Sequence, residues 1–511
     1  MYRDRRYPEP IVPRACVCEV PERVDQGGHV ILPLDEEATQ REIERAVQGG
    51  AEALAVCLLW SFRNDSHERR VRDMVSEVAG KDLVVALSSE ISPVIGEYER
   101  TASTVLSAYL APAARAHYRQ VEDTLREHGF RGTFRVLNST GGVIPAADAG
   151  DRPILTLLSG PTGGVTGSRH LAEMLGHQNV ITSDMGGTSF DVSLIVDGRP
   201  LVALGRETGG YHLSMPMIDI PTIGAGGGSI VSVEDGLVRV GPESAGSNPG
   251  PVCYGRGGRR VTVTDADVVL GIIDPGSFLG GRMDIDAAAA ERAMLEQVAQ
   301  PLGIPVEEAA AGVRRIVESQ MADLLREVTI GQGHDPRSFV LYAYGGAGPM
   351  HCAGYGRELG VSRIVVPATS MVHSAYGALA SDTLFAAERS RVLQGGADGA
   401  GLDPEAIEAE FNALEAKCVA ALEASGFAEG DREISRFAEM RYRTQTHELL
   451  VPVPPVGWIR SWWAISQPGS MRSTRGRTGK GRPSWMPASR SRPSELRPSA
   501  GRRSRGSPRW D

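Results

Sequence analysis

No run of apolar residues in this chain approaches the length that crosses a bilayer, and its amino terminus, M-Y-R-D-R-R-Y-P-E-P, has no apolar core of the kind a secretory signal needs. Aromatic residues are sparse, at 5%. The six cysteines (Cys16, Cys18, Cys57, Cys253, Cys352 and Cys418) are scattered, and Cys16-x-Cys18 is too short for a zinc knuckle and has no second pair. We therefore expect free thiols in a reducing cytoplasm, with no disulfide framework and no membrane association. Two common nucleotide signatures are missing as well. S-G-P-T-G-G-V-T-G-S (Ser159–Ser168) lacks the Gly-Lys-Ser/Thr ending of a P-loop, and Gly224-Ala-Gly226-Gly-Gly228 has the wrong spacing for a dinucleotide fingerprint.

What the chain has in excess is glycine, 61 of 511 residues, and the length is ample for several domains. The net charge of -9 hides an asymmetry: residues 457–511 carry 13 Lys+Arg against 2 Asp+Glu, or +11, which leaves -20 for residues 1–456. The basic segment shows neither a strand nor a helix period, and holds 11 serines and five of the six tryptophans. Its tryptophans fall in no stacking register, so nucleic-acid binding is not expected of it. Arg, Ser, Pro, Gly and Trp are what GC-rich DNA yields out of frame, and a disordered or frameshifted tail beginning near Gly457 is the expectation.

Along the rest of the chain, strands and helices alternate at the pace of an α/β protein. Asp35 stands as N-cap of a helix to about Val47, Ala53–Trp60 and Leu83–Ser89 read as strands around a helix, and Glu97 to Gly129 reads as one long helix. Thr133–Ile144 reads as a strand ending in a glycine turn, and Ser159–Ser168 as a glycine loop that opens a helix. The stretch that organises the chain is N-V-I-T-S-D-M-G-G-T-S-F-D-V-S-L-I-V (Asn179–Val196), apolar strand, glycine tip, apolar strand, closing at Asp197-Gly198. Gly186 and Gly187 are expected to take backbone angles closed to other residues. The tip offers bare amides and the Thr188 hydroxyl, which suit phosphate oxygens, and the carboxylates of Asp184 and Asp191, which suit magnesium. Asp265 and Asp267, spaced to share one side of a strand end, are candidates to reach the same ion, or to cap the helix that follows. The strand Ser338–Tyr344 ends in Gly345-Gly346-Ala347-Gly348, with Pro349 at a helix start, the place where open α/β sheets take ligands. His351, a lone histidine just inside that helix, is read as structural.

Several ordered blocks carry a family resemblance: S-S-E-I-S-P-V-I-G-E-Y-E-R-T (Ser88–Thr101), S-G-P-T-G-G-V, D-M-G-G-T-S-F-D-V-S, I-G-A-G-G-G-S-I, G-P-E-S-A-G-S-N-P-G-P-V-C-Y-G-R-G-G, T-V-T-D-A-D, G-H-D-P-R-S-F and Y-G-G-A-G-P-M-H. From about Pro10 to Val453 the chain resembles the hydantoinase/oxoprolinase family, which includes N-methylhydantoinase A, ATP-dependent 5-oxoprolinase and subunits of acetone and acetophenone carboxylases. The resemblance implies an actin, sugar-kinase and Hsp70-like fold of two ribonuclease-H-like lobes that bind ATP and Mg2+. It places Asp184, Gly186, Gly187, Thr188 and Asp191 in a phosphate hairpin and Gly345, Gly346 and Gly348 at the adenosine. A first D-x-G-G-T-x-x-D hairpin, expected well upstream, has no counterpart here, so the first lobe is expected to be incomplete and the chain truncated at its front. Thr444 stands where the family pattern has glycine. The expected domains are an N-terminal remnant at 1–104, the ATP-binding domain at 105–390, a partial C-terminal domain at 391–456 and the tail at 457–511.

The activity this implies is ATP-dependent opening of a small cyclic amide, with Asp184 and Asp191 catalytic and Asp184 and Asp265 as metal ligands. The chain would be the A-type subunit of a hetero-oligomer with a B-type partner. A ketone carboxylase subunit is the alternative within the family. The alternative outside enzymology is an inactive gene fragment that keeps part of the nucleotide site, and little ATPase activity is expected of the chain by itself.

Overall fold

The computed structural model describes residues 9–395, 401–441 and 449–453, and the chain divides into one unit of Met1–Ser390 with Lys417–Ala428 and another of Arg391–Ala416 with Glu429–Asp511. In the larger unit Asp35 caps helix α1 (Glu36–Gln48), its carboxylate accepting from the Ala38 amide at 2.9 Å. Such a cap is worth about 1 kcal/mol. Strand β1 (Ala53–Val56), helix α2 (Ser66–Ala79) and strand β2 (Val84–Leu87) follow, and β1 and β2 pair in parallel from Ala53↔Val84 to Val56↔Leu87. Ile43, Val71, Met74 and Val75 of the two helices pack with Val56 and Leu87 of the strands as one core. The long helix α3 (Glu97–Glu127) is the one expected from the spacing of its apolar residues.

The second layer is built on the central hairpin. Helix α4 (Ser159–Leu175) leads into strands β3 (Val180–Met185) and β4 (Phe190–Val196), whose far end turns at Asp197 and Gly198, with φ of 51° and 76°. Both angles suit the tight hairpin turn that the Asp-Gly pair announces. Strand β5 (Thr222–Ile223), the hairpin of β6 (Ser229–Glu234) and β7 (Leu237–Ser244), helices α5 (Val263–Val269) and α6 (Val306–Thr329), strand β8 (Val340–Tyr344), helix α7 (Gly348–Leu359), strand β9 (Ile364–Val365) and helix α8 (His373–Ala380) complete it. The sheet runs β5-β4-β3-β8-β9; β5, β4 and β3 are antiparallel neighbours, whereas β8 lies parallel to both β3 and β9. This is the mixed α/β lobe that the family resemblance leads one to expect.

Side-chain alternation sends Ile181 and Met185 of β3 into a core with Val313, Val317, Met321 and Leu325 of α6. Val180, together with Tyr342 of β8, packs on the opposite face against Val165 and Ala172 of α4. Asp184, an even number of residues from Val180, belongs to that second face and ends it.

Two glycine readings change. Thr133–Ile144 is not one strand: Arg135–Leu137 and Val143–Pro145 pair antiparallel around a turn in which Asn138 Oδ1 accepts from the amides of Thr140 and Gly142. Ser159–Ser168 is not a loop, for α4 is helical from Ser159 onward. Its glycines serve contact with α8: a Cβ on Gly377 would lie 1.7 Å from the Gly163 carbonyl oxygen, and one on Gly163 would lie 2.5 Å from that of Ser374. Helix propensity argues against glycine in such a place; the close crossing of two backbones requires it.

In the second unit, strands Arg436–Met440 and Leu449–Val453 pair antiparallel, and Arg436 reaches Glu408 at 2.9 Å and Glu415 at 2.6 Å. Thr444 and the basic segment from Gly457 lie outside the described residues. All six cysteines are free, and among the described residues no helix is long and apolar enough to cross a membrane.

Candidate functional site

The register of β3 and β4 sets Asp184 directly opposite Asp191 and Met185 opposite Phe190, so Gly186–Ser189 form the tip. Gly186 donates to the Ser189 carbonyl at 3.2 Å, while the amides of Gly187 and Thr188 donate no hydrogen bond among the described residues. Gly187 and Thr188 are exposed. The expected backbone strain is absent: neither Gly186 nor Gly187 has a left-handed φ, and a Cβ on either would meet nothing within 4 Å. The fold therefore does not demand glycine at these positions. Their effect is to leave bare amides facing open space.

The Gly224–Gly228 loop, which is no dinucleotide fingerprint, packs against the tip. Gly227 N donates to Gly186 O at 3.0 Å and Gly228 N to Gly187 O at 2.7 Å, and a Cβ on Gly226 would lie 2.6 Å from Thr188 N. Backbone stacked on backbone fixes the tip, and the amides of Gly187 and Thr188 keep no hydrogen-bond partner among the described residues. Beyond the loop, a cleft of about 640 Å³ opens between it, β7 and α6, lined by Ala225, Val240, Ile316, Gln320 and Leu324 among others; neither Asp184 nor the tip glycines contribute to it.

The two carboxylates are unequal. Asp191 accepts from Thr222 Oγ1 at 2.6 Å and from Ser189 Oγ at 3.1 Å. Asp184 accepts no hydrogen bond from the described residues, and burial, with the Asp191 charge in second place, pushes its pKa up to about 6. A cross-strand pair of like charges is unfavourable, and the unpartnered member has free oxygens for a cation or a proton. Among the described residues no group of three or more His, Cys, Asp or Glu is placed to hold a metal. Two carboxylates nevertheless fit magnesium, which keeps several waters and takes one or two protein carboxylates together with phosphate oxygens.

The second glycine turn lies against the first. Tyr344 of β8 is in register with Asp184, and Gly345 has φ 82°. A Cβ there would sit 2.3 Å from Asp184 Oδ1 and 2.5 Å from the Met185 carbonyl, so glycine is obligatory on two counts. Ala347 N donates to Met185 O at 2.9 Å. Gly346 is exposed with open space where a Cβ would be, and Gly348 begins α7 with Pro349 in its first turn, where amides lack helical partners. Asp184, Asp191, Gly186, Gly187, Thr188, Gly345, Gly346 and Gly348 thus gather at one edge of the sheet, beyond the carboxyl ends of β3 and β8.

Asp265 does not stand free beside them. It is on helix α5 rather than a strand end, and it closes a capping box with Thr262. Its carboxylate accepts from the amides of Val252, Cys253 and Thr262 and from Thr262 Oγ1. Capping together with the Val252 and Cys253 amides satisfies its carboxylate in complete burial. Asp267 turns away from Asp265 into a buried cluster with Arg314, Glu318 and His351. Sequence reasoning missed Arg314 and Glu318; the signal was a pair of charges four residues apart on a helix whose neighbouring positions are apolar.

With this geometry described, comparison with known proteins is informative. The family described as Hydantoinase/oxoprolinase matches residues 100–387, and the Hydantoinase/oxoprolinase N-terminal region matches residues 1–79. The chain is 40% identical over 398 residues to the acetophenone carboxylase gamma subunit of Aromatoleum aromaticum, covering 75% of this chain and 53% of that one. It is 36% identical to the caprolactamase subunit alpha of Pseudomonas jessenii, covering 88% of this chain and 64% of that one. The crystal structure of the ATP-dependent caprolactamase from Pseudomonas jessenii superposes with a TM-score of 0.83 at 34% identity, covering 93% of this chain and 68% of that chain. The chain spans between about half and two thirds of the length of these two curated relatives.

Proposed function

The chain belongs to the hydantoinase/oxoprolinase family, and on that premise we propose that it is the ATP-using, A-type subunit of an enzyme that opens a small cyclic amide of the hydantoin or 5-oxoproline type. An amide carbonyl is a poor electrophile. ATP supplies the activation: once the amide oxygen carries the phosphoryl group, one water adds to the ring carbon, the C–N bond breaks as the nitrogen takes a proton, and a second water displaces phosphate from the acyl phosphate that remains. The protein's task is electrostatic: to hold and neutralise phosphate oxygens, align the phosphoryl group and exclude stray water. In this reading the Gly187 and Thr188 amides and the Thr188 hydroxyl hold phosphate oxygens. Asp184 would hold magnesium, with Asp191, anchored by Thr222 and Ser189, as the second carboxylate, and the ion would supply positive charge to the phosphate oxygens. Gly345, Gly346 and Gly348 let the nucleotide approach bare backbone. Asp265 is left to its capping role. The ATP-binding domain is assigned to residues 105–390, between an N-terminal portion at 1–104 and a C-terminal one at 391–456.

The observation that carries this reading is Asp184, a largely buried carboxylate that, among the described residues, has no hydrogen-bond partner and stands beside the exposed, unbonded Gly187 and Thr188. The relatives named above are subunits of larger enzymes, which supports a B-type partner. The higher identity to the acetophenone carboxylase subunit favours a second reading, in which the same phosphoryl transfer activates a ketone carboxylation.

The test is ADP release by the chain with a B-type subunit. Hydantoin, 5-oxoproline and caprolactam are offered in one series, acetone and acetophenone with bicarbonate in another. We expect lactam-dependent release, reduced at least about 100-fold in Asp184→Asn. Release that depends on ketone instead would install the second reading. Silence in both series would leave the inactive-remnant reading.

A further inference from the structure

Immediately behind the glycine turn, α7 carries a histidine with no solvent exposure. His351 Nε2 lies 3.1 Å from Asp267 Oδ2 on α5, and its Nδ1 lies 3.2 Å from Glu318 Oε1 on α6. Both partners are carboxylates, and only the imidazolium donates from both ring nitrogens at once. Arg314 closes the cluster: its NH1 reaches Asp267 Oδ1 at 2.8 Å, its Nε reaches Glu318 Oε1 at 2.9 Å, and its NH2 donates to the Met350 carbonyl in the first turn of α7. With His351 protonated the four charges sum to zero. With it neutral, one uncompensated negative charge is left in the interior.

That charge would sit where it matters. Met350 adjoins Pro349 and Gly348, Ala347 N is bonded to Met185 O, and Gly345 abuts Asp184 Oδ1. The cluster therefore backs the helix end whose positive dipole lies against Met185, beside the tip glycines. We infer that His351 is a positioning residue for anion binding at this edge: as an imidazolium it cancels Asp267 and Glu318, so that α7 presents a positive end to a nucleotide's phosphates. The inference rests on the nucleotide-binding reading above. Burial alone would lower the imidazole pKa, but the hydrogen bonds to Asp267 and Glu318 hold it above the ordinary histidine value. Asp267, Glu318 and Arg314 are the charged groups that face it, and the adjacent Cys352 thiol is held protonated by burial.

The test is binding of an N-methylanthraniloyl ATP analogue with Mg2+ to the full chain, read by fluorescence anisotropy. A buried unit charge about 10 Å away at an effective dielectric of about 20 corresponds to roughly tenfold in affinity. His351→Gln is expected to weaken binding about that much. His351→Gln combined with Glu318→Gln, which restores charge balance without the histidine, is expected to recover it to within about threefold. His351→Gln with Asp267→Asn is a second balanced pair, and serves equally where the single variant folds poorly. A merely structural histidine would give doubles no better than the single, and that outcome, or an unaffected single, overturns the inference while leaving nucleotide binding intact. A wild-type chain that does not bind the analogue overturns the nucleotide reading and this inference together.

Discussion

At Asp184 two unfavourable terms add, since burial disfavours its charge and Asp191 repels it from the facing strand. The sign of the resulting stability effect follows. The folded pKa, about 6, lies above the ordinary aspartate value of 3.8, so the native state holds a proton that the unfolded state has released. Stability from this group is therefore full below about pH 4 and is lost as pH rises toward 6. Two pK units correspond to at most about 3 kcal/mol, and partial exposure reduces that to about 2 kcal/mol. Asp184→Asn, free of the charge, is expected to melt at a higher temperature than wild type at pH 8, without nucleotide or metal, and at nearly the same temperature at pH 4. Equal differences at both pH values, or a variant less stable at pH 8, would remove the electrostatic account. A residue that strains its own fold yet stands unpartnered is what a ligand site leaves behind when stability and function compete.

Between elements, glycine does two different jobs, and the sequence alone did not separate them. At Gly345 and at the crossing of α4 and α8 it permits backbone contact; at Gly186, Gly187 and Gly346 it leaves space that no protein atom fills. The hairpin and its turn at Asp197-Gly198 were legible because apolar strand runs and an Asp-Gly pair act locally. Packing of α4 on α8 was not, because the partner of Ser159–Ser168 lies some two hundred residues further on and leaves no mark in the glycine run itself. Asp265 was misplaced for a related reason: T-V-T-D-A-D alternates like a strand, and the capping box that makes it helical depends on Thr262 turning back. The α4–α8 contact has its own test. Gly377→Ala drives a methyl onto the Gly163 carbonyl and is expected to destabilise by about 3 kcal/mol or more, seen as a lower urea midpoint at unchanged slope. An unchanged midpoint would mean that the two helices part readily and that close contact is not what fixes glycine there.

For the molecule as a whole, the site and the family point the same way from independent observations. Ordered blocks spread from Ser88 to His351 announced the family before any geometry. The fold then brought Asp184, Asp191, the tip glycines and the Gly345 turn to one edge of a sheet, beyond the carboxyl ends of two parallel strands, where ligands of open α/β folds bind. The charged cluster around His351 could not be assembled from the sequence, where only the Arg314 and Glu318 spacing marked it, because its members come from three separate helices. What joins these observations is the claim that the Gly186–Ser189 tip grips a nucleotide's phosphates through amides the protein leaves unused. Gly187→Val tests it most directly, because a Cβ there meets no atom of the described residues within 4 Å and the position needs no left-handed backbone. Calorimetric titration with a non-hydrolysable ATP analogue and Mg2+ is expected to show affinity lost by about tenfold or more, corresponding to about 1.4 kcal/mol, with the melting temperature of the unliganded chain unchanged. Wild-type affinity in a normally folded Gly187→Val chain would contradict the account.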